Sequence, residues 1–175
     1  MPELWTTNFL EPNEELTSED YQNFIVLSVD AIEGFIRSYL GVNQLIIGPV
    51  IDEMKNKNQG LWYLPKNYPI QSVESLTLNG EIVDLSSIEV HYSGIRREAG
   101  LDGDIKISYT AGFPEDVLNV FREIIIQYVH FEFQNLKAGR WGETSRTYAD
   151  GTSTWKTTTE FLTEVQEKLR AYRRP

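Results

Sequence analysis

The sequence is organised around residues 104–133, DIKISYTAGFPEDVLNVFREIIIQYVHFEF. Apolar and polar side chains alternate over residues 105–110, which is the pattern of a strand with one buried face. Gly112 and Pro114 end that strand, because glycine tolerates unusual backbone angles and proline fixes φ and has no N–H to donate to a sheet. These residues therefore predict a strand, a tight corner made of Gly112, Phe113 and Pro114, and a helix after it.

The part of this stretch after the corner predicts the longest apolar helix of the chain. Pro114 suits a first helical turn, and Glu115 and Asp116 place negative charge at the positive end of the helix dipole. The apolar residues that follow cover more than one helical face: Val117, Leu118, Val120, Phe121, Ile124, Ile125, Tyr128, Val129 and Phe131. We expect such a helix in the middle of the fold or shared with a neighbouring copy of the chain.

The residues before the central stretch predict a small antiparallel sheet. Asn79-Gly80 is the strongest short-range signal for a β-hairpin. Short apolar runs predict strands at residues 45–47, 50–51, 61–65, 73–78 and 88–92. Residues 52–60 and 95–103 are polar, and we expect them to be loops. No helical pattern separates the strands, so parallel βαβ units are not supported.

Two more helices are predicted near the ends of the chain. The first begins after a cap at Thr17 or Ser18 and ends at Gly41, and Gly34 within it permits another element to approach closely. The last covers residues 160–172 with one apolar stripe. The predicted fold class is α+β, with long α-helices packed with a small antiparallel sheet of short strands and hairpins and with extended N- and C-terminal segments.

The predicted domain organisation is one core with extensions. Its segments are an N-terminal arm at 1–16, a core domain at 17–137, a flexible linker rich in Gly, Ser and Thr at 138–159, and a C-terminal helix at 160–175. The linker nevertheless contains Trp141, Tyr148 and Trp155. Two interpretations stay open: the linker becomes ordered on a partner, or it is a surface loop whose aromatic residues cover the domain's own core.

Composition excludes several kinds of function. The 175 residues include no cysteine, which excludes disulfides, thiolate nucleophiles and cysteine-based zinc sites. The net charge is −10, with 8 Lys/Arg and 21 Asp/Glu in residues 1–134 and 8 Lys/Arg and 5 Asp/Glu in residues 135–175. An acidic body argues against binding in a DNA groove. The basic tail is either ordinary solvated charge or a contact with an acidic partner or nucleic acid. We expect a cytoplasmic chain without a leader peptide or membrane span.

No catalytic, cofactor-binding or metal-binding motif stands out. His91 and His130 lie beside aromatic residues in a predicted strand and a predicted helix, where structural roles are the better interpretation, and a zinc site would need more ligands. No G-x-S-x-G elbow, P-loop or G-x-G-x-x-G is present. We therefore predict that the chain is not an enzyme and has no cofactor. The competing hypothesis, a small hydrolase or nucleic-acid-processing enzyme, needs both histidines and scattered acids to converge.

Several segments resemble one protein family. They are SYLG at 38–41, LWYLP at 61–65, YPIQSV at 68–73 and ISYTAGFP at 107–114. The last leads directly into the long apolar helix, and a Gly/Ser/Thr-rich linker and a closing helix that ends Tyr172-Arg173-Arg174 follow it. Over residues 18–175 this order is similar to the head–tail connector (adaptor, or head-completion) proteins of tailed double-stranded DNA bacteriophages.

The resemblance implies a structural virion protein. Such proteins form a ring of about a dozen copies below the portal, extend the DNA channel without sequence-specific contacts, and provide a platform for the next head-completion or tail protein. It implies a subunit that is in the host cytoplasm during assembly, with no membrane partner, and at the head–tail junction of the virion afterwards. Whether the free subunit is a monomer stays open.

The resemblance also implies where the portal contacts lie. Because the C-terminal segment tends to reach the portal in this family, the portal-interface candidates are Trp141, Tyr148, Trp155, Arg170, Tyr172, Arg173 and Arg174. The alternative is a tail-side completion or interaction protein that has the same body but a different partner.

Overall fold

The computed structural model describes residues 19–57, 60–137, 145–148, 151–154 and 156–174. These residues form three α-helices and nine β-strands, and all strand pairs are antiparallel, which confirms the predicted α+β fold. They divide into two compact units. Residues 19–40 and 119–173 belong to the helical unit, whereas residues 41–118 and Arg174 form the sheet unit.

The larger sheet of the sheet unit is four-stranded. Its order is β1 (Gly48–Lys57), β7 (Gly103–Ala111), β3 (Ile70–Leu78) and β4 (Glu81–Ile82). Strand β7 lies between β1 and β3 and pairs with both along its length. The turn between β3 and β4 is the predicted Asn79-Gly80 turn, and both residues have positive φ, of 53° and 83°. This geometry confirms the hairpin prediction.

Two smaller sheets complete the strand inventory of the described residues. In the sheet unit, β2 (Trp62–Tyr63), β6 (Gly94–Arg96) and β5 (Glu89–His91) pair in that order. In the helical unit, β8 (Ser145–Tyr148) and β9 (Gly151–Thr154) form a two-stranded hairpin. None of these short strands pairs with β7, which remains the central strand of the sheet unit.

Alternate residues of β7 form the centre of the sheet unit's core. Ile105, Ile107 and Tyr109 are at most 2% exposed. The same buried cluster includes Leu76 from β3 and Ile95 from β6. Burial of one such side chain contributes about 1.5–3 kcal/mol. The alternating pattern read from the sequence therefore corresponds to the strand that contributes most to the core.

The helical unit contains α1 (Glu19–Leu40), most of α2 (Glu115–Lys137) and α3 (Thr158–Leu169). Buried residues recur every three or four positions on each helix. They are Ile25, Val29, Ile32 and Ile36 on α1, Phe121, Ile125 and Val129 on α2, and Phe161, Val165 and Leu169 on α3. The ring of Phe161 lies 5.6 Å from that of Tyr128 and 5.0 Å from that of Phe131. Amphipathic faces thus build this unit.

The long apolar helix α2 has one exposed side. Glu123, Ile126 and His130 are exposed on it, while Phe121 and Ile125 are fully buried. The helix is therefore less apolar all round than its sequence indicates. Within the described residues, no helix combines the length and the apolar character that a membrane crossing requires.

Strand β1 differs from the sequence-based expectation. We expected a loop over residues 52–60, but the strand continues to Lys57 and pairs with β7 through residues such as Asp52, opposite Ile107, and Met54, opposite Ile105. Exposed and half-buried residues alternate along it. The prediction was wrong because pairing with a distant strand, rather than the polar composition of the segment, determines its conformation.

Four smaller differences concern other segments. β6 extends through the first two residues of the expected loop 95–103, and the β8–β9 hairpin lies in the expected linker 138–159. The last helix begins at Thr158, because Thr157 and Glu160 form a reciprocal capping box. No described atom lies within 4 Å of a Cβ built on Gly34, so no described element approaches there. The arm and the predicted caps Thr17 and Ser18 lie outside the described residues.

The corner after β7 depends on the absence of a side chain at residue 112. Gly112 has a φ of +135°, a conformation that other residues rarely adopt. A Cβ at this position would lie 2.5 Å from the carbonyl carbon and oxygen of Ile46 and from the nitrogen of Ile47. The Gly112 N–H donates to the carbonyl oxygen of Pro69 at 3.0 Å. The residues before β1 and before β3 therefore both contact the corner backbone directly.

Phe113 and Pro114 complete the corner and start the helix. Phe113 is 1% exposed, and its N–H donates to the Leu45 carbonyl oxygen at 2.8 Å. The Pro114 carbonyl oxygen accepts from the N–H groups of Val117 and Leu118 at 3.1 and 3.0 Å, which forms the first turn of α2. The predicted strand–corner–helix order is confirmed.

Replacing Gly112 with alanine should destabilise the chain strongly. We expect Gly112→Ala to lower the free energy of unfolding by more than about 2 kcal/mol, since the new Cβ overlaps backbone atoms and the φ is unfavourable for alanine. Gly34→Ala is the matched control: it adds a methyl group on an exposed helix position and should raise the free energy of unfolding by about 0.5–1 kcal/mol. Urea unfolding followed by circular dichroism measures both, and equal effects of the two substitutions would contradict this account of the corner.

Candidate functional site

The predicted portal-interface residues are divided between described and undescribed segments. Trp141 and Trp155 lie outside the described residues. Tyr148 ends strand β8, and its side chain also lies outside them. The other four candidates, Arg170, Tyr172, Arg173 and Arg174, are described, and we call residues 170–174 the tail. The structure therefore places the tail in detail, and the contribution of the three linker aromatics stays a prediction.

The first part of the tail belongs to the helical unit. Residues Arg170–Tyr172 form a 3-10 turn after α3. The side chain of Arg170 is 77% exposed and lies 3.8 Å from the Glu167 carboxylate. The Tyr172 ring is half-buried and packs edge-on against Phe121 at 5.7 Å. The exposed Arg173 places its guanidinium 5.4 Å from the centre of the Tyr39 ring. Arg170 and Arg173 thus remain accessible for an acidic or aromatic partner.

Arg174 has a different environment, within the sheet unit. A guanidinium nitrogen of Arg174 donates to the Pro65 carbonyl oxygen at 2.6 Å, and the guanidinium carbon lies 4.6 Å from the centre of the Tyr68 ring. The Arg174 backbone N–H donates to the Tyr68 hydroxyl at 2.9 Å. Burial lowers the pKa of the guanidinium. Arg174 is therefore an occupied contact in this structure rather than a free surface charge.

A buried polar network lies close to the corner, and sequence reasoning missed it. The Asp52 carboxylate accepts from the Tyr109 hydroxyl at 2.8 Å, from the Lys66 N–H at 3.1 Å and, more weakly, from the Tyr63 hydroxyl at 3.5 Å. Tyr109 and Tyr63 are at most 1% exposed. Burial, followed by the effect of the Asp52 carboxylate, raises the pKa of both hydroxyls. One sequence signal could have indicated a role for Asp52. It lies two residues after Val50, so the two side chains share one face if the strand continues past residue 51.

Asn67 extends this network to the segment before β1. It is 4% exposed, and its side-chain oxygen accepts from the N–H groups of Asn43 and Gln44 at 2.7 and 3.2 Å. Its own N–H donates to the Tyr109 hydroxyl at 3.3 Å. A buried polar group without a partner destabilises the folded state. These hydrogen bonds therefore hold the side chains in fixed positions.

Two glutamines hold the corner carbonyl groups. The Gln44 amide donates to the Ala111 carbonyl oxygen at 2.9 Å, and the Gln71 amide donates to the Gly112 carbonyl oxygen at 2.9 Å. These bonds satisfy backbone acceptors at a place where the sheet ladder ends. The network consists of hydrogen bonds that fix backbone conformation, and it positions the corner and the Pro65–Tyr68 segment.

The two histidines belong to different units. His91 in β5 lies with its ring 4.8 Å from the Trp62 ring and its Nε2 3.5 Å from the Glu89 carboxylate. His130 is exposed on α2. In the part of the chain that the structure describes, no group of three or more His, Cys, Asp or Glu residues could hold a metal ion.

An exposed apolar patch on the sheet unit is a further candidate contact that sequence reasoning did not single out. Trp62 is 42% exposed, Leu64 51% and Tyr92 48%. A Cβ on Gly94 would lie 2.8 Å from a Leu64 methyl carbon, so the Leu64 side chain covers Gly94. Exposed aromatic and aliphatic groups next to charged residues such as Arg96 are typical of protein–protein contacts.

Comparison with solved structures finds two chains from particle necks. A chain described as the neck of a native GTA particle computed with C12 symmetry is 13% identical to this chain, with a TM-score of 0.44, and the match covers 86% of this chain and 84% of that chain. A chain described as the neck of an empty GTA particle computed with C6 symmetry is 14% identical, with a TM-score of 0.47 and coverage of 89% and 82%. No family model and no curated protein matches the chain.

The buried tyrosines predict a dependence of stability on alkaline pH. An unfolded tyrosine loses its proton near pH 10. The folded chain retains the protons of Tyr63 and Tyr109 above that pH, so its free energy of unfolding should be fully maintained below about pH 10 and decrease as the pH rises further. Tyr109→Phe should make this decrease shallower by about 1.4 kcal/mol per pH unit.

Urea unfolding between about pH 9 and 11 measures this slope. At neutral pH, Tyr109→Phe should lower the free energy of unfolding by about 1–3 kcal/mol, because Asp52 and the Asn67 N–H each lose a hydrogen-bond partner. Parallel pH profiles for the wild type and Tyr109→Phe would contradict the assignment of a raised pKa to this hydroxyl.

Proposed function

We propose that this chain is a head–tail connector subunit of a tailed bacteriophage or phage-like particle. In this proposal it docks as a ring below the portal, extends the DNA channel and provides the platform for the next head-completion or tail protein. The observation that carries the proposal is the structure of residues 109–114, which are the end of β7 and the corner. The most specific residues of the family resemblance form one compact structure there. The proposed role is structural, without an enzymatic reaction or a cofactor.

The two most specific segments of the resemblance contact each other in the fold. Residues 64–73 and 109–114 are distant in sequence, yet the Gly112 N–H bonds to Pro69 and the Gln71 amide bonds to the Gly112 carbonyl oxygen. The rings of Tyr68 and Phe113 are 6.1 Å apart. A shared structural motif, rather than two unrelated matches, explains why both segments carry the resemblance, and this supports the family assignment.

The negative charge of residues 1–134, called the body, is consistent with a channel that does not bind DNA. Exposed carboxylates of the sheet unit include Glu53, Glu74, Glu81, Glu98 and Asp104. Negative charge repels the phosphates of passing DNA and suppresses sticking, which a conduit for packaged DNA requires. Residues 135–175 carry the opposite balance, with 8 Lys/Arg and 5 Asp/Glu. This asymmetry supports separate roles for the body in the channel and for the basic segment in docking.

The tail supplies side chains of the types that dominate protein interfaces. Arg170 and Arg173 are exposed, and tryptophan, tyrosine and arginine are the residues most often responsible for interface affinity. We infer that these arginines, together with Trp141, Tyr148 and Trp155 of the linker, contact the portal. The patch that contains Trp62, Leu64 and Tyr92 is then available to a neighbouring copy or to the next protein on the tail side.

A pull-down on the portal ring encoded by the same genome tests the proposal. The purified chain is mixed with the purified portal, and any complex is imaged by negative-stain electron microscopy. We expect an added collar at the narrow end of the portal. If the chain is folded, the portal is intact and no complex forms while the chain is retained in assembled tails, the proposal is wrong and the tail-side protein is the better assignment.

Trp155→Ala tests the docking role of the linker aromatics. We expect the variant to bind the portal at least about tenfold more weakly, since loss of a central aromatic contact costs more than about 1.4 kcal/mol. Its thermal melt by circular dichroism should equal that of the wild type. Trp62→Ala is the matched tryptophan control and should retain portal binding. A lower melting temperature with normal portal binding would show that Trp155 belongs to the core.

A further inference from the structure

Arg174 differs from the other tail arginines in how it is held. Arg170 and Arg173 are exposed, whereas Arg174 is half-buried and makes three contacts within the sheet unit, to which it belongs. Its guanidinium bonds to the Pro65 carbonyl oxygen and lies over the Tyr68 ring, and its backbone N–H bonds to the Tyr68 hydroxyl. Side chain and main chain are thus recognised together, as in a site for an arginine within an extended segment.

The chemistry of these contacts is selective for arginine. A guanidinium is planar, so it can stack over an aromatic face while an edge nitrogen donates to a carbonyl oxygen, and a lysine ammonium cannot make both contacts in the same way. Among the described residues, no carboxylate forms an ion pair with Arg174. The ring and the carbonyl dipole therefore hold the charge.

The Arg174 contact is also incompletely satisfied. The Nε atom of Arg174 is buried and has no hydrogen-bond partner among the described residues. Burial of an arginine is unfavourable unless its donors are paired. Within the described residues, the unpaired Nε atom and the absence of an ion pair both reduce the net stability of the contact. Such a site holds its ligand but does not hold it as tightly as a buried ion pair would.

The walls of the site are also held by contacts that do not involve Arg174. Tyr68 is 1% exposed, and its ring packs against Phe113 at 6.1 Å and Tyr92 at 5.9 Å. The segment between its two walls is fixed by the Lys66 N–H bond to Asp52 and by the bonds of buried Asn67. A preformed site loses little conformational entropy on binding, which favours reversible capture of a side chain.

We propose that Pro65 and Tyr68 form a binding site for an arginine side chain, that Arg174 occupies it in the free subunit, and that the site releases Arg174 when the tail docks on a partner ring. The site, called the arginine cage below, would then limit how often the tail is free to bind. The release step rests on the proposed function, whereas the existence of the cage does not. Arg174 is thus an intramolecular ligand before it is available as an interface residue.

The cage is tested on the free protein by NMR of arginine-labelled chain. Protons close to an aromatic face shift upfield, so the Arg174 side-chain resonances should be displaced from those of the exposed Arg170, which serves as the internal reference. Tyr68→Phe keeps the ring and removes the hydroxyl acceptor, so it should retain the shift while the Arg174 amide exchanges with solvent about tenfold faster. In Arg174→Lys the displaced resonances should disappear. Arg174 resonances that coincide with those of Arg170 in the wild type would overturn the cage.

The release step is tested by the kinetics of binding to the portal ring. Arg174→Ala should associate about three- to tenfold faster than the wild type, because the tail no longer has to leave the cage before it binds. Arg122→Ala, which removes a cation on α2 outside the tail, is the matched control and should associate at the wild-type rate. A faster dissociation of Arg174→Ala would show in addition that Arg174 contacts the portal once it is released.

The outcomes separate the cage from the proposed function. An association rate of Arg174→Ala equal to or below that of the wild type overturns the release step. If neither the wild type nor any variant binds the portal, the connector proposal and the release step both fail, and the NMR result alone decides whether the cage exists. A wild type that does not bind, together with an Arg174→Ala chain that does, would show that the cage blocks docking in the free subunit.

Discussion

The sheet unit depends on a close approach between two pieces of backbone at Gly112. The corner carries no Cβ, and the space that a Cβ would occupy is filled by the peptide group between Ile46 and Ile47. This contact lets strand β7 end, the chain turn into α2, and Phe113 enter the core within three residues. The Gly112 N–H bonds to the Pro69 carbonyl oxygen and the Phe113 N–H bonds to the Leu45 carbonyl oxygen. These bonds hold the corner against its neighbours, so it cannot move away easily to accept a larger residue.

The polar network next to the corner converts that contact into a rigid platform. Asp52, Tyr109 and Asn67 are connected by hydrogen bonds, and Tyr109 and Asn67 are at most 4% exposed. Low local dielectric strengthens such bonds and also makes a broken one costly. The rigidity extends to residues 65–68, where the arginine cage lies. Fold stability and the proposed capture of the tail therefore have one structural origin.

Local signals were sufficient to predict the elements whose conformation is set by neighbouring residues. The alternation in β7, the Gly-Phe-Pro corner and the Asn79-Gly80 turn were all correctly predicted, since each depends on the intrinsic backbone preferences of the residues concerned. The continuation of β1 through Asp52 was not, because this polar edge strand is stabilised by pairing with β7, more than 50 residues later in the sequence. Periodicity within one segment contains no information about such a partner.

For the candidate site, the sequence likewise indicated residue types but not the environments of those residues. The tail arginines were singled out by their type and by the family resemblance. Their different environments could not be predicted, because the contact of Arg174 with Tyr68 joins residues 106 positions apart. Glutamines such as Gln44 and Gln71 gave no signal either, since an amide that supports a distant carbonyl group resembles any surface amide in sequence.

The connector assignment is tested most directly by electron microscopy of particles assembled from the genome that encodes this chain, with and without its coding sequence. The assignment predicts that, without the chain, heads fill with DNA but lack the neck ring and carry no tails, and that supplying the chain restores tailed particles. Tailed particles with a complete neck in the absence of the chain would contradict it.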